Sequence, residues 1–128
     1  MAAIGFIEHK GKRVLLLDFT AIRDTQLALQ LIAQARATVA AEPQRKELLT
    51  VTDVKGMIYN DEINQAFVAL GKNNAPWVRK SAVCNTSTIG RVITRANNVA
   101  TGRSFALFDS RAEALDWVVT DAAAVAPP

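Results

Sequence analysis

The sequence contains one cysteine and one histidine. Cys84 has no second thiol to pair with, and no CxxC pair offers a metal site, so neither an internal disulfide nor a metal centre is expected. A Ser-His-Asp triad would have to recruit His9, and the G-x-S-x-G elbow that exposes such a serine is missing. The P-loop and the G-x-G-x-x-G fingerprint are missing too, and no cofactor is called for. Aromatic residues are 6% of the chain, too few for a base-stacking platform. The net charge is +3, but Lys and Arg never form a run, which is the pattern of a solvated mixed surface rather than of a nucleic-acid site. The longest apolar runs fall far short of the roughly 20 residues that span a bilayer. The first residues, MAAIGFIEHKGKR, lack a charged segment followed by an apolar one, so they do not read as a signal peptide and a cytoplasmic location is expected.

What is present is an ordinary globular composition, half hydrophobic and 21% charged, in a 128-residue chain long enough to bury a core without staples. No repeat or linker divides it. The expectation is one domain over residues 1–119, with an Ala- and Pro-rich tail at 120–128 that frays.

Residues 4–9 (IGFIEH) and 13–19 (RVLLLDF) flank Lys10-Gly11-Lys12 and read as an antiparallel hairpin. From Asp24, a natural N-cap, the spacing becomes helical, with Leu27, Leu31, Ala35 and Val39 in one stripe and Ala28 and Ile32 beside it. Glu47 to Val54 is a short apolar strand stopping at Lys55-Gly56. A second helix aligns Ile63, Ala66, Phe67 and Leu70 and ends before Asn73-Asn74-Ala75-Pro76. A strand lies within Trp77 to Cys84. Ile89, Val92, Ile93 and Ala96 repeat the helical stripe, and Gly102 closes that unit. Ser104 to Phe108 is the last strand. Ser110 and Glu113 form an S-x-x-E capping box for a final helix with Leu115 and Val118 inward. The order ββαβαβαβα predicts an α/β fold, a single mixed sheet with right-handed crossover helices and an antiparallel hairpin at one end.

The stretch LLTVTDVKGMIYNDEINQ, residues 48–65, passes from strand to turn to helix and sets adjacent carboxylates, Asp61 and Glu62, where the helix begins. There they face unpaired N–H groups and the positive end of the helix dipole, worth about 0.3–1 kcal/mol each when exposed. Asn60 or Asp61 serves as cap, and Gly56 suits a turn that needs positive φ.

This junction, within that element order, resembles the STAS domain of bacterial anti-sigma factor antagonists. The family carries Asp-Leu-Ser-Gly-Val on a strand and then Asp-Ser-Ser-Gly-Leu at a helix start. Laid without gaps, Asp53-Val54-Lys55-Gly56-Met57 takes the first pattern and Asp61 falls on the second aspartate. The family's serine pair, one of which a partner kinase phosphorylates, falls on Glu62 and Ile63, and neither accepts a phosphate. The likeness extends diffusely over residues 4–118. The ending GRSFALFDSRAEALDW is similar to a STAS-like branch of uncharacterised bacterial proteins that are compared both with the antagonists and with CRAL-TRIO lipid-exchange domains. The resemblance implies a non-enzymatic interaction or regulatory module without its phosphorylatable serines. The partner would dock through Lys55, Gly56, Tyr59, Asp61, Glu62 and the second helix, with Glu62 supplying permanently the charge that phosphorylation gives a relative.

The alternative is a carrier or sensor of a lipid or a small anionic molecule. Thr86, Ser87 and Thr88 lie where a helix starts, a setting suited to phosphate, and Arg91 and Arg95 follow one turn apart on an exposed edge, with Arg103 beyond. Held bidentately, a phosphate would sit on those arginines. Enclosing an acyl chain takes a sizeable cavity, and a compact chain of this length has little spare volume unless a helix moves or two subunits cooperate. The second helix, with Phe67 and Leu70 beside the Gly71-to-Pro76 break, is the candidate lid, and Trp77 a candidate apolar rim. Cys84, at a strand end before a helix, is either a small buried thiol or, far less in keeping with its surroundings, an activated nucleophile. A homodimer through a sheet edge or helix face fits the sequence as well.

Overall fold

The computed structural model describes residues 3–101 and 104–120. Gly102, Arg103 and the tail from 121 onward lie outside the described residues.

The opening hairpin forms because two residues can reverse the chain with the twist that strands prefer. β1 (Ala3–His9) and β2 (Lys12–Asp18) pair antiparallel from His9↔Lys12 to Ala3↔Asp18. Lys10 and Gly11 take φ of 50° and 80°, the two positive values of a type I′ turn. Lys12 thus belongs to the strand, one residue tighter than the sequence suggested.

Four helices and three strands alternate after it: α1 (Thr25–Ala40), β3 (Leu48–Asp53), α2 (Asp61–Asn74), β4 (Val78–Cys84), α3 (Thr88–Thr101), β5 (Phe105–Phe108) and α4 (Arg111–Val118). α2 runs through Asn73 and Asn74 rather than stopping before them. The helix starts lie where local chemistry dictates. The Asp24 carboxylate accepts from the N–H groups of Gln26 and Leu27, both at 3.3 Å, and the Asn60 side chain accepts from the Ile63 N–H at 2.9 Å. Ser110 Oγ accepts from the Glu113 N–H at 3.2 Å.

The five strands lie in chain order, β1-β2-β3-β4-β5, with every pair after the first parallel. Parallel crossovers are right-handed, so three successive steps in one direction place α1, α2 and α3 on the same face. That face packs Leu15, Leu17, Phe19 and Leu48 against Ala28, Ile32, Ala35 and Val39 of α1 and Ile63 and Leu70 of α2. Leu27, expected in the α1 stripe, is 42% exposed. The opposite face carries Val14, Leu49, Val51 and Ala82, covered by Ala114, Leu115 and Val118 of α4.

The helix face under α1 and α2 is apolar, but towards α3 the sheet changes character. Thr50 and Ser81 are buried side by side on β3 and β4, their hydroxyls 2.7 Å apart. α3 answers with its polar side. Asn98 accepts from the Phe105 N–H at 3.0 Å and donates to the Phe105 carbonyl at 3.3 Å, and Asn97 donates to Asn64 of α2 at 2.9 Å. Most of its apolar stripe, expected to face the core, is turned outward: Ile89 and Val92 are 72% and 62% exposed and Ala96 is exposed, while Ile93 is half-buried; Val99, outside the expected stripe, is 87% exposed. Periodicity finds the stripe correctly, but the side facing the sheet is the one that hydrogen-bonds to it.

A candidate ligand cavity between two helices

Because α3 packs through amides rather than through large apolar side chains, it does not close onto the sheet. A cavity of about 380 Å³ remains between α2, α3 and the floor formed by Leu17, Thr50, Thr52 and Val83. Phe67, Val68, Leu70 and Gly71 form the α2 wall, and Gly90, Thr94 and Asn97 the α3 wall. The expectation of little spare volume is therefore wrong, and the reason is the polar underside of α3. Phe67 packs edge-on against Phe19 with ring centroids 5.2 Å apart, and Ile63 and Leu70 are buried, which anchors α2. The more loosely seated wall is α3. Trp77 is not at the rim: its indole N–H donates to the Glu42 carbonyl at 3.2 Å and its ring packs against the α1 side of the core.

The mouth of the cavity is at the C-terminal edge of the sheet, where two loops are held by one carboxylate. Asp53 accepts from the Lys55 N–H at 3.1 Å and from the Asn85 side-chain amide at 3.0 Å. Its other oxygen accepts from Arg111 Nε at 2.9 Å, and the same guanidinium lies 3.1 Å from Asp18. Burial pushes the Asp18 carboxyl up, but bonds from the Thr20 hydroxyl and N–H and from Arg111 outweigh it and hold it below the usual range. Burial likewise opposes the charge on Arg111, and the two aspartates more than restore it. Asp53, the first residue of the STAS-like pattern, thus fixes both the turn at Gly56 and the entry to α3. Gly56 has φ of 69°, with the Ala21 backbone 3.6 Å from where a Cβ would stand.

The two sets of residues singled out in the sequence meet here in part. Gly56 and Tyr59 from the partner set, and Thr86 and Ser87 from the ligand set, line the same cavity. Tyr59 donates to Asn64 Oδ1 at 2.5 Å, joining the Asn64–Asn97 link between the two helices. Burial, helped by the nearby Asp61 charge, pushes its phenol up to about 12. Ser87 Oγ accepts from the Gly90 N–H at 3.0 Å and caps α3, while Thr86 Oγ1 is buried with no hydrogen-bond partner. Lys55, Asp61, Glu62 and Thr88 are exposed and outside the lining. Arg91 pairs with Asp109, and Arg95 is exposed; neither lines the cavity. Arg23, Thr52 and Phe105 were missed. The alternation of Thr50 and Thr52 in an otherwise apolar strand was the available signal for a wet face.

Cys84 is fully buried, and burial followed by the Asp53 charge pushes its thiol up to about 12, the opposite of an activated nucleophile. Among the described residues no cluster of His, Cys, Asp and Glu is arranged to hold a metal ion, and no helix is long and apolar enough to cross a membrane.

No family model matches the chain, and no curated protein matches it. Among solved structures it is similar to an uncharacterised protein of the DUF3478 family with a SpoIIAA-like fold from Shewanella loihica PV-4. The TM-score is 0.70 at 18% sequence identity, over 91% of this chain and 92% of that one. The chain thus has a SpoIIAA-like fold, the STAS-like architecture expected from its element order.

Proposed function

We propose that this protein is a non-enzymatic binding module in which the cavity between α2 and α3 holds a small, largely apolar molecule. The observation that carries this reading is the cavity itself: its volume of about 380 Å³ falls within the roughly 300–1,000 Å³ usual for small-molecule sites, with an apolar α2 wall facing uncharged polar side chains on the floor and on α3. Gly56 and Tyr59 line the same cavity, so the surface assigned to a protein partner adjoins the ligand site, which supports a ligand-responsive regulatory module. Glu62, exposed in the first turn of α2, supplies a fixed negative charge where the STAS-like pattern has a serine.

The test is a titration of the protein with Nile red. Saturable binding at one site is expected, retained in Glu62→Ser and lost in Thr52→Phe, which fills the floor. Equal binding by Thr52→Phe, with its fold verified by circular dichroism, overturns the reading.

The outward stripe of α3 favours a second reading, in which a protein partner or a second copy of the chain covers Ile89, Val92 and Val99. Exposed apolar side chains in register along one helix are unusual unless something packs on them.

A further inference from the structure

Resting on the cavity as a ligand site, we infer that its occupant is an amphiphile with one acidic head, a carboxylate or a phosphate, seated at the C-terminal edge of the sheet against Arg23 and Thr86, with its aliphatic body lying between α2 and α3.

The lining is asymmetric along its length. Arg23 is the one charged side chain among the described lining residues, and it stands at the mouth beside Gly56. Its guanidinium reaches only the Gly56 carbonyl, at 3.5 Å, the outer limit of a hydrogen bond. No carboxylate among the described residues neutralises it. Asp61 stands at this end of α2 but is exposed and outside the lining. Thr86 Oγ1 is at the same edge, two residues past the end of β4, buried and without a partner. A buried hydroxyl left unpaired costs free energy that a ligand oxygen would recover.

Away from the mouth the walls are Phe67, Val68, Leu70, Val83 and Phe105, with the uncharged Thr94 and Asn97 on the α3 side. The lining stretch of α2 from Phe67 to Asn74 rises about 10 Å at 1.5 Å per residue, long enough for a medium-length alkyl chain. A guanidinium recognises carboxylate and phosphate by the same two parallel N–H bonds, so both sources of the acid fit this end.

The test measures binding of decanoate, decyl phosphate and decanol to the full chain by isothermal titration calorimetry, each below its aggregation concentration. At least one acid is expected to bind about ten-fold or more tightly than decanol, the scale of one charge-assisted hydrogen bond. The acid that binds more tightly identifies the head, and either result supports the inference. The preference should collapse in Arg23→Gln and persist in Arg95→Gln, whose side chain is outside the cavity. Equal binding of all three, or a preference that survives Arg23→Gln, overturns the acidic head and leaves the cavity reading standing. No binding of any of the three by the wild-type chain overturns both.

Discussion

Lys80 is 2% exposed, in the middle of β4, and its ammonium is held by the end of a helix. Nζ donates to the Trp117 carbonyl at 2.8 Å and to the Thr120 carbonyl and hydroxyl, both at 3.2 Å, and lies 4.1 Å from the centre of the Trp117 ring. The C-terminal carbonyls of α4 have no intrahelical donors, and a cation at that end also meets the negative pole of the dipole. Lys80→Met keeps the stem but removes one donor from the Trp117 carbonyl, which keeps the Thr120 N–H and hydroxyl, and one from the Thr120 carbonyl, and should cost about 1–3 kcal/mol in a urea melt. Lys46, whose ammonium bonds the Ala75 carbonyl on the exposed surface, should lose far less on the same change. Nothing in the strand pattern distinguishes Lys80 from a solvated lysine, because sequence spacing does not reveal which polar side chain finds a buried set of acceptors. Arg111, which finds Asp18 and Asp53, was illegible for the same reason. Asp24, Asn60 and Ser110 were legible because a cap bonds to N–H groups two or three residues away.

At the scale of the element, α3 separates two kinds of information. Its apolar period was plain in the sequence, yet its direction depends on what the neighbouring strands offer, and they offer Thr50, Thr52 and Ser81. If the stripe faces out, Val92→Glu should leave the isolated chain within about 0.5 kcal/mol of wild type, the usual range for surface changes. Ile63→Ala, at a fully buried position of α2, should cost about 2–5 kcal/mol. Sedimentation velocity on the same Val92→Glu protein examines the second reading. A wild-type dimer or complex that dissociates in the variant supports coverage of the stripe, and an unchanged assembly removes it. The inward stripes of the other helices, apart from Leu27 of α1, were read correctly because they meet an apolar sheet.

Across the whole molecule, the strands were countable from the sequence, and the crossover rule fixed the handedness. The cavity was not foreseen, since it is a gap between elements that each look complete alone. The ion cluster that locks its mouth also sets a pH limit. The folded Asp18 carboxyl lies below its unfolded value of about 3.9, so it favours the fold above about pH 4 and ceases to do so as pH falls through the folded value. The melting temperature should therefore drop on acidification below about pH 4, and Asp18→Asn, less stable at neutral pH, should show a shallower drop. An equal acid slope in both proteins assigns the loss to other carboxylates.

The chain-order sheet has a consequence for synthesis. Each strand finds its partner in the segment just made, so the sheet can lengthen from its first edge as the polypeptide leaves the ribosome, with little waiting for distant segments. One surface is the exception. Val14, Val51 and Ala82 are placed early, yet the eight residues of α4 that cover them are translated after the whole sheet, so a nascent chain that already has its full sheet still presents a sticky side until residue 118 emerges. That interval is when this protein is most exposed to chaperones and to other chains.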